Sequence, residues 1–220
     1  MGKTDLAIFD FDGTLADSFP FFLSVFNRLA GQHGFDTIDL DNAGAFRGYS
    51  ARQMMAHVGM PRWKLPLVAK SFLALMKESS HRISMFDGVA DMLQLLHAHG
   101  VELAVVTSNS HENVSSILGR ENIALISRLE SGASIFGKAS RIGRVLGASR
   151  ATHDRTIYIG DQVSDLEAAR KAGIAFGAVS WGYATLESLL AHRPDHVFQS
   201  VADLRRLAGT ESQVAMHSAH

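Results

Sequence analysis

Short apolar runs without alternation recur along the chain, and each ends in an acid, a hydroxyl or glycine. Leu6-Ala7-Ile8-Phe9 runs into Asp10-Phe11-Asp12-Gly13, Val101 to Val106 into Thr107-Ser108-Asn109, and Thr156 to Ile159 into Gly160-Asp161. A weaker run covers Ile123 to Ile126, and another covers Ile174 to Val179. Runs of this kind predict strands buried on both faces, as in parallel sheets. Helical patterns lie between them. Val89 to His99 carries apolar Val89, Met92, Leu93, Leu95 and Leu96 and stops at Gly100, and the Ala-rich stretch Ser164 to Ala172 stops at Gly173. Glycine just past the last periodic residue is a helix C-terminal signal. Strands alternating with helices predict an α/β fold whose parallel sheet is covered on both faces.

One segment breaks the alternation. From about Asp17 to Ser84 the pattern is helical: Phe21 to Ala30 ending at Gly31, Ala51 to Val58 ending at Gly59-Met60-Pro61, and Leu65 to Glu78. An all-helical block inserted after the first strand predicts a small cap over the carboxyl edge of the sheet. The expected organisation is therefore a three-layer, Rossmann-like parallel-sheet core formed by residues 1–16 and 85–208, with a helical cap at 17–84. The tail, 209–220, is expected to be flexible.

Composition narrows the function classes. The 220 residues carry a formal net charge of −1 and no cysteine, which excludes disulfides and thiolate metal sites and argues against a nucleic-acid partner. No stretch approaches the roughly 20 apolar residues of a membrane span. The apolar stretch before Asp10 is too short for a signal-peptide core, so the expected location is the cytoplasm, with no membrane partner. Oligomeric state is not legible.

Ligands of open α/β sheets bind beyond the carboxyl ends of the strands. Asp10, Asp12, Thr107 and Asp161 all fall there and are expected to converge. Asp10 and Asp12, two apart beside Gly13, suit a hard cation or a nucleophile beside an acid/base, although one Asp-x-Asp-Gly alone reads first as an Asx turn. A calcium loop fails, because Thr14, Leu15 and Phe21 occupy positions that need an acid, a glycine and a glutamate. Thr107 can donate to a phosphoryl oxygen, with Ser108 and Asn109 as candidate substrate contacts; taken alone, Ser108 to Ser110 read first as a helix N-cap. Asp161 and Asp165 bracket a strand end and a helix start, where Asp165 also favours the helix dipole. Lys138 opens a helix, a position its charge disfavours, which points to an anionic partner.

The residues now resemble a known family. Phe9-Asp10-Phe11-Asp12-Gly13-Thr14-Leu15-Ala16-Asp17-Ser18, then Thr107, Lys138, and Gly160-Asp161 through Asp165 to Gly173 are similar to the four motifs of the haloacid dehalogenase superfamily, in its phosphoglycolate-phosphatase-like branch. Phe86-Asp87-Gly88-Val89 resembles the re-entry into the core after the cap. The resemblance covers residues 5 to about 208. It departs after Lys138, where Ala139 stands in place of the proline that often follows.

The resemblance implies a magnesium-dependent phosphatase acting on a small phosphorylated metabolite through an aspartyl-phosphate. Asp10 is the implied nucleophile and Asp12 the general acid/base. Thr107 binds the phosphoryl group and Lys138 offsets charge. Magnesium is implied at Asp10, the Asp12 carbonyl and Asp161, with Asp165 in support. Asp12 argues against a halide-displacing dehalogenase and against a non-catalytic binding module. A phosphonate hydrolase would need a cap lysine, and Lys64, Lys70 and Lys77 fall on polar helix faces. A sugar phosphomutase shares all four motifs and stays the alternative. In the cap loop Phe46-Arg47-Gly48-Tyr49-Ser50, Arg47 can recognise a carboxylate or phosphate or simply face solvent. Trp181-Gly182-Tyr183 can line the site or pack.

Overall fold

Every residue of Leu6–Phe9 is buried, and this segment forms the first strand, β1, of a six-stranded sheet. The computed structural model describes residues 3–49, 51–132 and 137–209. The other strands are β2 (Glu102–Val106), β3 (Ile126–Glu130), β4 (Thr156–Gly160), β5 (Ala175–Val179) and β6 (His196–Phe198). All pairings are parallel and the order is β3-β2-β1-β4-β5-β6.

Register explains the convergence of the polar ends. Phe9 pairs with Val105 of β2 and with Ile159 of β4. Asp10, one residue beyond that level, and Thr107 and Asp161, two beyond it, therefore leave the sheet at one edge.

Three helices, α1 (Phe19–His33), α2 (Ala51–His57) and α3 (Leu65–Glu78), lie between β1 and β2, with no strand among the described residues there. Beyond them come α4 (Val89–Ala98), α5 (His111–Ile123), α6 (Lys138–Ala148), α7 (Val163–Ala172) and α8 (Leu186–Leu190). Alternation along β1 divides the layers. Ala7 and Phe9 pack with Met92, Leu93, Leu96, Val114 and Leu118 of α4 and α5. Leu6 and Ile8 pack with Ile142, Val145, Leu166 and Ala169 of α6 and α7. Each large apolar side chain removed from water in this way contributes roughly 1.5–3 kcal/mol. The result is the three-layer Rossmann-like α/β architecture the sequence predicts.

The helical segment joins the sheet through a narrow neck. Asp17 N–H donates to Ser84 O at 2.9 Å and Phe86 N–H to Leu15 O at 3.0 Å, so the chain leaves and returns side by side. The segment has a small core of its own, built on Phe26, Ile38, Phe46 and Val58.

Two expectations need correction, and one strand goes unread in the sequence. The first helix does not stop at Gly31. It runs to His33 and ends on Gly34 in the left-handed conformation, φ 63°, which glycine alone adopts cheaply. The run Ile123 to Ile126 is not a strand; Ile123 closes α5, and β3 begins at Ile126 as a half-exposed edge strand. The three-residue β6 carries too little pattern to be read from sequence. The tail beyond Gly209 lies outside the described residues. Among the described residues no helix is long and apolar enough to cross a membrane.

Candidate active site

Asp10 follows β1 directly, and its backbone N–H donates to Ile159 O at 2.8 Å. Its buried carboxylate faces Lys138, with Nζ to Oδ2 at 3.0 Å. Lys138 also meets Asp165 Oδ1 at 2.5 Å. The anionic partner that a lysine at a helix start calls for is thus a pair of carboxylates from two different strand ends. Asp165 does two jobs, since its other oxygen accepts the Gln162 N–H at 3.0 Å and caps α7. The capping reading of that acid is therefore met.

Asp161, fully buried, accepts from the Tyr183 N–H at 2.7 Å and from the Thr14 hydroxyl at 3.3 Å. Oxygens of Asp10, Asp161 and Asp165 all lie within 4.8 Å of one another. Two glycines make room for this cluster. A Cβ on Gly13, where φ is +79°, would stand 2.4 Å from Asp161 Oδ2, and one on Gly182 would stand 2.2 Å from Asp161 Cβ. Gly182→Ala is therefore expected to destabilise the protein by about 1–3 kcal/mol, the scale of overpacking a tight interior, and to lower activity by displacing Asp161. Urea unfolding alongside turnover checks it; wild-type behaviour in both would show the loop yielding freely.

Asp12 stands beside that trio without joining it. Its Oδ2 accepts from Asn109 Nδ2 at 2.9 Å, while its Oδ1 is buried with no hydrogen-bond partner. Asn109 is itself fixed, its Oδ1 accepting from the Ser110 N–H and from Asn113 Nδ2. Ser110 is the N-cap of α5, accepting the Asn113 N–H at 3.2 Å. The hydroxyl oxygen of buried Thr107 accepts the Asn109 N–H at 3.0 Å, which leaves the Thr107 hydroxyl proton free to donate. Ser108 and Gln162 stand at the mouth of an adjoining cavity.

The electrostatics follow from burial. Desolvation drives Asp10 up to about 7, against the pull of Lys138. Burial also raises Asp12, partly offset by the Ser18 hydroxyl and the Asn109 amide. Asp161 is held well above the carboxylate range by burial and by the neighbouring Asp165 and Asp10 charges. Burial alone would push Lys138 down, but Asp10 and Asp165 override it and hold the ammonium well above the ordinary lysine range. Of the three buried carboxylates, Asp10 and Asp165 share the Lys138 ammonium and Asp161 has no cationic side chain bonded to it among the described residues. A set of hard oxygen donors with excess negative charge and an orphaned carboxylate oxygen alongside fits a small divalent cation. Asp10, Asp161 and Asp165 are the residues that would hold it.

Two sequence expectations fare differently. Arg47 does not join the cluster; it is exposed, with its guanidinium carbon 4.9 Å from the Phe19 ring centroid. Its loop reaches the site through the backbone instead, Gly48 N–H donating to Tyr183 O at 2.8 Å. Ser50 lies outside the described residues. Tyr183 is the residue that sequence reasoning underweighted. Besides holding Asp161, its hydroxyl pairs with Ser18 Oγ at 3.0 Å and its ring packs on Phe19 at 5.0 Å. It follows β5, so the strand-end rule applied to Asp10 and Asp161 would have found it. Trp181 packs, donating to Thr14 O at 3.1 Å.

The strand order, the acids that follow β1 and β4, and the lysine that opens α6 define a doubly wound α/β enzyme with an aspartate-centred site. A model of the haloacid dehalogenase-like hydrolase family matches residues 7–179. The phosphoglycolate phosphatase of Synechococcus elongatus is 31% identical over 198 residues, spanning 90% of this chain and 93% of that protein. A haloacid dehalogenase-like hydrolase of Streptococcus pneumoniae has the same fold, with a TM-score of 0.75 and 21% identity over 92% of this chain and 96% of that one. CbbY of Rhodobacter sphaeroides, solved with xylulose-1,5-bisphosphate, shares the fold at a TM-score of 0.67 and 20% identity, covering 91% of this chain and 96% of that one. The chain belongs to the haloacid dehalogenase-like hydrolase family. It is an enzyme of the phosphoglycolate-phosphatase-like branch, a phosphoric monoester hydrolase.

Proposed function

We propose that this enzyme is a magnesium-dependent phosphatase of the cytoplasm that hydrolyses a small phosphorylated metabolite through an aspartyl-phosphate on Asp10. The observation that carries the reading is the buried Asp10 carboxylate, tied to Lys138 and gathered with Asp161 and Asp165, with the raised Asp12 carboxyl close by. Phosphoryl transfer rests on positioning and charge neutralisation. A bound magnesium ion would screen the carboxylates from the phosphate dianion.

An Asp10 oxygen attacks phosphorus and the bond to the ester oxygen breaks. Asp12, whose carboxyl is raised by burial, gives its proton to that leaving oxygen. Water then attacks the phosphorus of the aspartyl-phosphate, Asp12 takes the water's proton, and inorganic phosphate leaves with Asp10 restored. The free Thr107 hydroxyl proton donates to a phosphoryl oxygen, and Lys138 keeps Asp10 ionised for attack. Residues 17–84 serve as a cap that limits water access between the steps.

A mutase reading needs hydrogen bonds for a sugar, and the largely apolar walls of the adjoining cavity offer few. The test is phosphate release from 2-phosphoglycolate and from p-nitrophenyl phosphate with magnesium, set against isomerisation of sugar phosphates. Release should stop with a chelator. Full activity in chelator, or isomerisation outrunning release, would overturn the proposal.

The raised Asp10 gives a pH dependence. With its carboxyl up at about 7, a cation must displace a proton below that pH. Apparent magnesium affinity is therefore expected to increase from about pH 6 to about pH 8, with proton release on binding. Calorimetry in buffers of different ionisation enthalpy measures both, and a pH-independent affinity would refute the coupling.

A further inference from the structure

A cavity of about 270 Å³ opens from the catalytic edge into the helical segment. Its end at the catalytic edge is polar, formed by Asp12, Ser108, Gln162 and Tyr183. The walls beyond are apolar and come from all three helices: Phe22 and Phe26 of α1, Met54 and Met55 of α2, Val68 and Phe72 of α3. No lysine, arginine or histidine is among the described residues that line it. Arg47, the one cation expected to anchor an acidic substrate, is an exposed residue stacked on Phe19 at the cavity rim and is not itself among the lining residues.

A concave space of this size, apolar with a few polar groups at one end, is close to the form that small-molecule sites take. Thioethers at Met54, Met55 and Met60 give it walls that adapt to shape. A substrate carboxylate pushed into it would lose its hydration without a counter-charge, a large cost. A methylene would gain, by about fourfold in binding for each one buried.

We infer that the substrate is a phosphate monoester of an apolar alcohol, its phosphate at Asp10 and its hydrocarbon group in this cavity. The inference rests on the phosphatase reading above and names the substrate class for that same site. The ester oxygen lies at the polar end, where Asp12 can protonate it, and the released product is the apolar alcohol. The leaving group, not the phosphate, then sets selectivity, because every phosphate monoester offers Asp10 and Lys138 the same dianion. Arg47 contributes packing on Phe19 in place of a substrate contact.

The test is a series of n-alkyl phosphates from ethyl to hexyl, assayed for phosphate release with magnesium, beside 2-phosphoglycolate. In the wild-type enzyme kcat/KM is expected to climb with each methylene, roughly 200-fold across the series at full burial, and hexyl phosphate should outrun 2-phosphoglycolate. Ala69→Phe, which adds a ring to the cavity wall, should reduce the hexyl-to-ethyl ratio at least tenfold, about the share of two buried methylenes. The wild-type series decides alone should that variant not fold. Release that is flat or falls with chain length, or that is fastest with 2-phosphoglycolate, overturns the apolar assignment and leaves the phosphatase reading standing. No release from any ester, the phosphoglycolate included, overturns both.

Discussion

Asp10→Asn is expected to lower kcat for any phosphate monoester by about 10,000-fold or more, the scale on which enzymes lose rate when a nucleophile is removed. The amide is isosteric but cannot attack phosphorus, and no second carboxylate can take its place. Asp161 is held by the Tyr183 N–H and Thr14, Asp165 by Lys138 and the Gln162 N–H, and Asp12 sits against Asn109. The fold should survive, and the metal-free protein should hold or gain stability at about pH 8, where wild-type Asp10 is ionised and desolvated. The sign is set by the raised value. Burial lifts Asp10 to about 7 from an ordinary 3.8, so its protonation favours the folded state fully below the ordinary value, and that contribution is lost as pH rises through about 7. An amide pays no such penalty. Single-turnover phosphate release and thermal melts in chelator measure the two effects. Turnover within tenfold of wild type would remove Asp10 as the nucleophile.

The parts legible in the sequence were those with a local physical cause. Fully buried parallel strands leave uninterrupted apolar runs, so β1, β2, β4 and β5 could be read within a residue or so. The sheet-edge rule then gathered Asp10, Thr107 and Asp161, and the awkward charge at a helix start pointed to partners for Lys138. Illegible features depended on distant contacts. Gly31 looks like a helix stop, but a helical glycine costs only about 1 kcal/mol, and burial of Leu29 and Ala30 carries α1 past it. Edge strand β3 exposes Ser127 and Arg128 and so lacks the run that marks its neighbours. Arg47 carried the right charge for an acidic ligand, yet only the fold reveals that Phe19 takes its side chain. Emptiness leaves no trace in sequence at all. Phe22, Met55 and Phe72 read as ordinary core positions, and the space between them exists only once three helices are assembled.

Lys138→Met is the second large effect, and it separates charge compensation from simple structure. Lys138 is, among the described residues, the ammonium bonded to both Asp10 and Asp165, and its side chain is mostly buried. Removing one partner of a buried ion network costs about 3–5 kcal/mol. That loss should depend on pH. The lysine is held well above its ordinary range, so it stays charged throughout neutral pH and its contribution is undiminished there. Its carboxylate partner is what titrates. Lys138 pulls Asp10 down, so without it the carboxyl moves above about 7. At about pH 6 Asp10 is largely protonated with or without the lysine, and the variant loses less; at about pH 8 the wild type gains an ion pair the variant cannot form, and the gap widens. Catalysis should follow the same proton. A protonated Asp10 cannot attack, so turnover at neutral pH should fall about 100- to 1,000-fold, the cost of one preorganised charge at a reacting centre. The acid limb of the pH–rate profile should move to higher pH, with part of the lost rate returning in alkali. Urea unfolding of the metal-free protein at the two pH values and the profile of kcat/KM decide the matter. A variant with an unmoved acid limb and a pH-independent stability loss would make Lys138 a packing residue, leaving Asp10 to be kept ionised by some other group.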